Sequence, residues 1–297
     1  MLNFTNGIVL LLSVVKHQSE FDIKVKFPEL KDAIDQIDNE MGYYSGNSKH
    51  DVDTARRFNE DARITYHQSV APVFNWCGEA IDKFNTILHH LRNESMSKEG
   101  KDYIWNITVT TINDGLIITS NSLDMLNDVQ GKSSRVNNLL KTILHDTYDD
   151  FGPNGFYGKR KIEVQKSIEY YEHKIKVFDV LQHIPIVNIV SLTIEIIKEY
   201  DEKLNALKFE KWDIQHTFEN IIRKIERASQ IAKTLVNPYL EEDKTNLVTL
   251  RGKADAVDNE NPLLRMDSAT LRALMVRPIQ ELITQCHKYN AWHGFKN

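Results

Sequence analysis

Two clusters in this sequence hold side chains able to bind a metal ion: His89 and His90 in LHHL, and Cys286, His287 and His293 in QCHKYNAWH. Zinc asks for three or four imidazole, thiolate or carboxylate ligands converging on one point. Adjacent residues on a helix point about 100° apart, so His89 and His90 do not readily share an ion. Cys286 and His293 fall on one helix face but about 10 Å apart along its axis. The histidines therefore read as surface or core-edge residues, and no metal or cofactor is expected. Covalent machinery is missing too: no Gly-rich phosphate loop, GxSxG, HExxH or CxxC occurs, and the acids show no pairing pattern. An enzyme is not expected. The aromatic groups Tyr170–Tyr171 and Trp292 with Phe295 read as packing residues at helical spacing. The basic corner GKRK, residues 158–161, reads as a solvated turn able to meet lipid headgroups.

With no chemistry to place, the question becomes what the elements are for. The chain has 297 residues, 41% hydrophobic and 27% charged, enough apolar content for a core. Its 12 glycines and 7 prolines are few, which disfavours turn-rich β and doubly wound α/β folds and favours long helices. A net charge of −5 gives no general attraction to nucleic acid, and none is expected as a partner. The 2 cysteines, Cys77 and Cys286, form either buried thiols or one bridge. We put thiols first, because cysteine behaves as a small apolar residue.

A first helix carries GIVLLLSVV, read as buried in a bundle rather than as a signal peptide. FDIKVKF alternates apolar and charged residues, so a short strand or extended link follows. Pro28 opens a helix to about Met41, and YYSGNSKHD is a loop. Over 52–92, Ile64, Val70, Phe74, Ile81, Phe84, Leu88 and Leu91 keep helical spacing, with a kink at Pro72. Over 101–150 the seam is Ile112, Leu116, Thr119, Leu123, Leu126, Val136, Leu140 and Ile143. FGPNGFYG is the strongest turn signal. A last seam runs through Leu204, Leu207, Lys211, Ile214, Phe218, Ile221, Ile225, Ala228, Ala232 and Leu235, alternating steps of three and four as in a coiled coil. Asn237-Pro238 ends it. A looser region over 241–262 leads to a final helix from about Ser268, kinked at Pro278 and fading near Trp292.

Between the two best seams lies VFDVLQHIPIVNIVSLTIEII, residues 177–197, the most apolar long segment after the amino terminus. Its apolar members are Val177, Phe178, Val180, Leu181, Ile184, Ile186, Val187, Ile189, Val190, Leu192, Ile194, Ile196 and Ile197, with Pro185 at the centre. One reading is a core helix kinked at Pro185. A membrane-spanning helix is a second, opposed by Asp179, His183, Asn188 and Glu195, since an acid near the bilayer centre costs about 2.5–3.5 kcal/mol. The third is a membrane-active hairpin bent at LQHIPIVN, its arms folded on the bundle until release. Each arm is too short to span alone, so acids near the arm ends would meet the interface or a wet pore. We adopt the third.

Two long helices, this hairpin and a further coiled-coil helix resemble the α-helical pore-forming toxins, the group of cytolysin A, haemolysin BL, the non-haemolytic enterotoxins and the Xax/Yax cytotoxins. The resemblance rests on INDGLIITSNSLDMLNDV, LHDTYDDFGPNGF, residues 177–197 and the seam from Leu204 to Leu235. It implies a secreted protein, soluble before assembly, that meets a target-cell lipid membrane, self-oligomerises there and often works with a second toxin component. The expected fold is all-α: an elongated antiparallel helical bundle with long coiled-coil helices and an apolar hairpin at one tip. One domain over 1–297 would comprise an N-terminal helix and link (1–50), long helices (51–176), the hairpin (177–197), a coiled-coil helix (198–236) and a C-terminal helical region (237–297). The hairpin is less apolar and poorer in glycine than is common in such heads, and GIVLLLSVV is a second candidate for insertion. The competing reading is a non-enzymatic helical scaffold or adaptor for protein partners or membrane surfaces.

Overall fold

The computed structural model describes residues 4–20, 24–42, 44, 46, 48–92, 95–181, 187–254 and 268–294. Among them the chain is helical throughout, with no strand: α1 (Phe4–Ser19), α2 (Phe27–Met41), α3 (Ser48–Leu91), α4 (Lys98–Phe151), α5 (Phe156–Leu181), α6 (Val187–Ile231), a π-helical turn (Ala232–Val236), α7 (Asn237–Ala254) and α8 (Ala269–Gly294). Contacts gather into two compact units. The first holds Met1–Leu30, Arg57–Val136 and Ile231–Asn297; the second holds Lys31–Arg56 and Asn137–Gln230.

In the first unit α1 lies against α8 and α7. Its buried face is Ile8, Leu11, Val14 and Val15, spaced by three, three and one, while Val9 and Ser13 point outward. Each such side chain stabilises by roughly 1.5–3 kcal/mol when removed from water. Close approach is possible because α4 has glycine at 115. A Cβ there would stand 2.5 Å from the Trp76 ring and 2.8 Å from Leu11. Trp76 is fixed in turn by its indole N–H, which donates to the Thr111 carbonyl at 3.0 Å. The two cysteines are joined: a disulfide links Cys77 on α3 to Cys286 on α8 across 209 residues. Both are fully buried, as apolar residues would be, but their helices pack closely enough to bring the sulfurs together. The preference for free thiols is corrected, and Cys286 is unavailable as a metal ligand.

The second unit is built on α2, the start of α3, the end of α4, and α5 with α6. Arg56 on α3 reaches Asp35 (2.5 Å) and Asp38 (3.0 Å) on α2, as well as Asp53 (2.7 Å) on its own helix. Glu40 at the far end of α2 pairs with Lys224 and accepts a bond from Asn220 at 2.9 Å. The turn at 152–155 is as sharp as its composition promised. A Cβ at Gly155 would lie 2.1 Å from the Asp149 carbonyl, and one at Gly158 only 1.7 Å from the Gly152 carbonyl. Tyr44, Phe151, Tyr157 and Phe218 stack beside the turn, with Phe151 and Tyr157 centroids 4.7 Å apart. Tyr44 also hydrogen-bonds Asp150.

Every member of the α4 seam from Ile112 to Ile143 is buried. Elsewhere the sequence reading needs correction. Ile64 is exposed, because it sits two residues, about 200°, from both Ala62 and Tyr66, which are buried. FDIKVKF forms no strand among its described residues. Lys24 makes a helical bond to Glu20, and Val25 and Phe27 are buried around a link into α2. The helical path does not end at Asn237-Pro238. Pro238 has no N–H to give the carbonyl four residues back, and the chain absorbs this with a π turn in which the Asn237 N–H bonds the Ala232 carbonyl. That adds a residue to one turn, so the buried stripe passes from Ala232 to Val236 and Leu235 is left exposed. The region beginning at 241 is helical as far as Ala254 rather than loose.

Reducing the disulfide, or replacing Cys77 and Cys286 with serine, is expected to destabilise the chain by on the order of 5 kcal/mol on the chain-entropy account of a loop this long. Urea titration with and without reductant measures it, and a midpoint that does not move contradicts the tie between α3 and α8.

Candidate functional site

The 177–197 segment divides between the end of α5 and the start of α6. Ile184, Pro185 and Ile186 lie outside the described residues; Leu181, Val187, Ile189, Val190 and Leu192 belong to helices whose side chains at these positions are outside the description. What holds the two helices together is visible further down. Val164 and Ile168 of α5 and Leu204 of α6 form a small buried core, with Tyr171, Ile175 and Leu207 packed on it. Arg160 grips Glu210 through two bonds of 2.6 and 3.0 Å, and Lys208 meets Glu172 at 2.9 Å. Lys211, the charged intruder in the seam, donates to Gln165 at 2.6 Å. Tyr200 faces both Tyr171 and Phe178. Partners that rise along α5 fall along α6, so the pair is antiparallel.

Above that core the packing stops. No described side chain from 169 to 203 is buried. Val177 is 42% exposed, Val180 70% and Ile194 53%, while Phe178, Ile196 and Ile197 are half-covered. The described side chains of this stretch cover only the stripe between the two helices. The expectation that the arms lie folded on the bundle is therefore corrected for these positions. Asp179 and Glu195 are exposed as well. Among the described residues, no helix is long and apolar enough to cross a membrane.

The second candidate, α1, is in the opposite situation. Its apolar face is enclosed, and its end is held by a buried polar cluster. Asp243 of α7, fully buried, accepts a bond from the Tyr66 hydroxyl of α3 at 2.9 Å and lies 3.8 Å from His17 Nε2. His17 stacks on Tyr239 at 4.1 Å, and the Tyr239 hydroxyl donates to the His17 carbonyl. Tyr289 of α8 donates to the Val70 carbonyl at 2.9 Å and stands 3.3 Å from Gln18. Burial is the main force on both titrating groups: it pushes the Asp243 carboxyl up to about 7 and the His17 imidazole down. Nothing in the sequence marked Asp243; only the convergence of four helices makes it distinctive.

The residues considered first for chemistry do not converge. His89 and His90 lie edge to face with ring centroids 5.4 Å apart. His293 is buried against Phe74 and bonds the His67 carbonyl. Tyr171 packs in the α5–α6 seam, while Tyr170 is exposed and carries Lys174 over its ring at 5.5 Å. Phe295 lies outside the described residues. Sequence reasoning missed an outward aromatic pair on α6, Phe209 and Trp212, 65% and 55% exposed. The available signal was that neither occupies a seam position.

The model of the haemolysin E family matches residues 9–294. The fold aligns with the AhlB pore of the tripartite alpha-pore forming toxin AHL from Aeromonas hydrophila at a TM-score of 0.53, over 97% of this chain and 98% of that one, with 9% identity. The soluble AhlC triple head mutant of the same toxin aligns at 0.41, over 90% and 97% with 10% identity. The SmhB pore of the tripartite toxin Smh from Serratia marcescens aligns at 0.33, over 98% and 84% with 13% identity. No curated protein sequence matches the chain.

Asp243 binds its proton more tightly folded than unfolded, so the stability it lends is complete below about pH 4 and is lost as pH rises to about 7. His17 acts in reverse, losing stability as pH falls through its unfolded value of 6.5. Asp243→Asn keeps the acceptor for Tyr66 and cannot ionise. Its stability relative to wild type is expected to grow from pH 5 to pH 8 by on the order of a few kcal/mol in urea unfolding. A constant difference would show that Asp243 does not titrate in this window.

Proposed function

The chain belongs to the haemolysin E family, and from that premise we propose how it acts: as an α-pore-forming toxin, or a subunit of a multi-component one, whose membrane-active element is the hairpin at 177–197. Membership makes it a cytolysin rather than an enzyme. The observation that carries the hairpin assignment is the absence of any buried side chain among the described residues from 169 to 203. Apolar residues exposed at the end of a helix pair, beyond the last core contact, are available to lipid at no cost in core packing.

The physics of the bilayer shapes the rest. A hydrocarbon core of about 30 Å needs about 20 apolar residues in one helix. Each arm supplies about half of that, so the hairpin enters as a pair, with the amphipathic flanks of α5 and α6 following. Asp179 and Glu195 then face water or neighbouring copies rather than lipid. Assembly of several copies on the target membrane satisfies this. So does docking on a second toxin component whose apolar surface covers the arms. The disulfide between two buried cysteines supports a secreted protein, since such bridges persist in oxidising compartments.

Dye release from lipid vesicles tests the assignment. Val180→Asp and Ile194→Asp change exposed positions, so the circular dichroism spectrum should be unchanged. Each introduced acid is expected to reduce leakage about tenfold or more, in line with its cost of about 2.5–3.5 kcal/mol in the bilayer. Full leakage from both folded variants would remove the hairpin from the mechanism.

A further inference from the structure

Beyond the hairpin end, α5 and α6 present two outward faces that differ in charge. On α6 the core-facing positions are Leu204, Leu207, Lys211, Phe218 and Ile221. At 100° per residue, Phe209, Trp212 and His216 fall on the opposite side. Their rings form a continuous strip: Phe209 and Trp212 centroids are 5.8 Å apart, and His216 stacks on Trp212 at 4.7 Å. All three residues are exposed. Exposed acids flank it at Asp201, Glu202, Asp213 and Glu219. Bases on that face are fewer: Lys208 is engaged by Glu172, and Lys198 and Arg223 are exposed beyond the two ends of the strip, so the four acids outnumber them.

Across the hairpin, α5 borders a groove of about 470 Å³ lined by Lys161, Ile162, Gln165, Lys166, Glu169 and Lys211. Ile162 gives it an exposed apolar floor. Lys161 and Lys211 are bonded to the neutral amides of Gln215 and Gln165, so their charges are not cancelled. Three lysines against one glutamate leave the groove basic. It has room for an indole, and an ammonium group beside it can lie over the ring face.

We propose that the strip and the groove are two halves of one self-contact, the Phe209–Trp212 edge of one copy seating in the α5 groove of the next. An acidic aromatic edge meets a basic groove, which fixes both register and direction. The contact is heterologous: each copy offers one half on either side of its hairpin, so copies add in a row that closes into a ring when the rotation allows. A self-complementary dimer is not expected. The inference rests on the assembly reading above and supplies the surfaces that assembly uses.

The test uses the full oxidised chain with vesicles, and places one new cysteine on each face. Lys166→Cys and Asp213→Cys in the same chain should give a ladder of disulfide-linked species on a non-reducing gel. Either change alone should give no dimer above wild type. A dimer from a single variant would mean an isologous contact and overturn the proposal. In the ladder background, Phe209→Ala with Trp212→Ala should abolish the ladder. In the otherwise native chain it should raise the concentration for half-maximal leakage about tenfold, as loss of an aromatic anchor does. Lys166→Glu should do the same, and adding Asp213→Lys should restore leakage. Variants that leak like wild type without a ladder would refute the contact and leave the pore reading intact. A ladder without leakage from wild type would uphold the contact and refute the pore reading. Lost leakage with an unchanged ladder would assign the aromatic edge to lipid or another protein, against this proposal.

Discussion

Two helices packed on each other by a single stripe leave the rest of their surfaces to solvent unless something else covers them. Above the small core of Val164, Ile168 and Leu204, none of the described residues of α5 and α6 up to 203 is buried. Side chains there are held by partial contacts and surface ion pairs, each worth about 1 kcal/mol or less. The described apolar residues Val177, Val180 and Ile194 are accordingly exposed. Their release from the rest of the chain costs no buried contact among the described positions.

The other apolar helix shows the contrast. Extracting α1 would open the pocket filled by Ile8, Leu11, Val14 and Val15, and would uncover Asp243 together with the tyrosines around it. Gly115 admits α1 to its place, and the disulfide ties α3 to α8 in the same unit. The apolar face of α1 is stored in a core, whereas Val177, Val180 and Ile194 of the hairpin are exposed, and this contrast is what favours the hairpin in the proposal above.

Much of this architecture was legible in the sequence, because its main signal is periodicity. The α4 seam steps by four and three from Ile112 to Leu126 and again from Val136 to Ile143, and two such runs in one phase have one structural solution. The turn at 152–155 was legible for a comparable reason: three glycines and a proline in eight residues leave no alternative to a reversal. What escaped depended on geometry that local patterns do not hold. Leu235 fitted the heptad until the π turn shifted the stripe by one residue. Cys77 and Cys286 had an apolar environment in either redox state, and only the packing of α3 on α8 joined them. Phe209 and Trp212 broke the seam pattern without suggesting why. Asp243 was one acid among 42 Asp and Glu residues until four helices enclosed it.

The central claim, that the hairpin meets lipid through side chains exposed beyond its own core, is open to a direct optical measurement. A polarity-sensitive fluorophore attached at Val180→Cys, with the buried native disulfide intact, should shift its emission to the blue when vesicles are added, while the same dye at the exposed Val9 position should respond less or later. Unchanged emission at 180 together with a strong shift at 9 would mean that α1, not the hairpin, enters the membrane first, and would contradict the account.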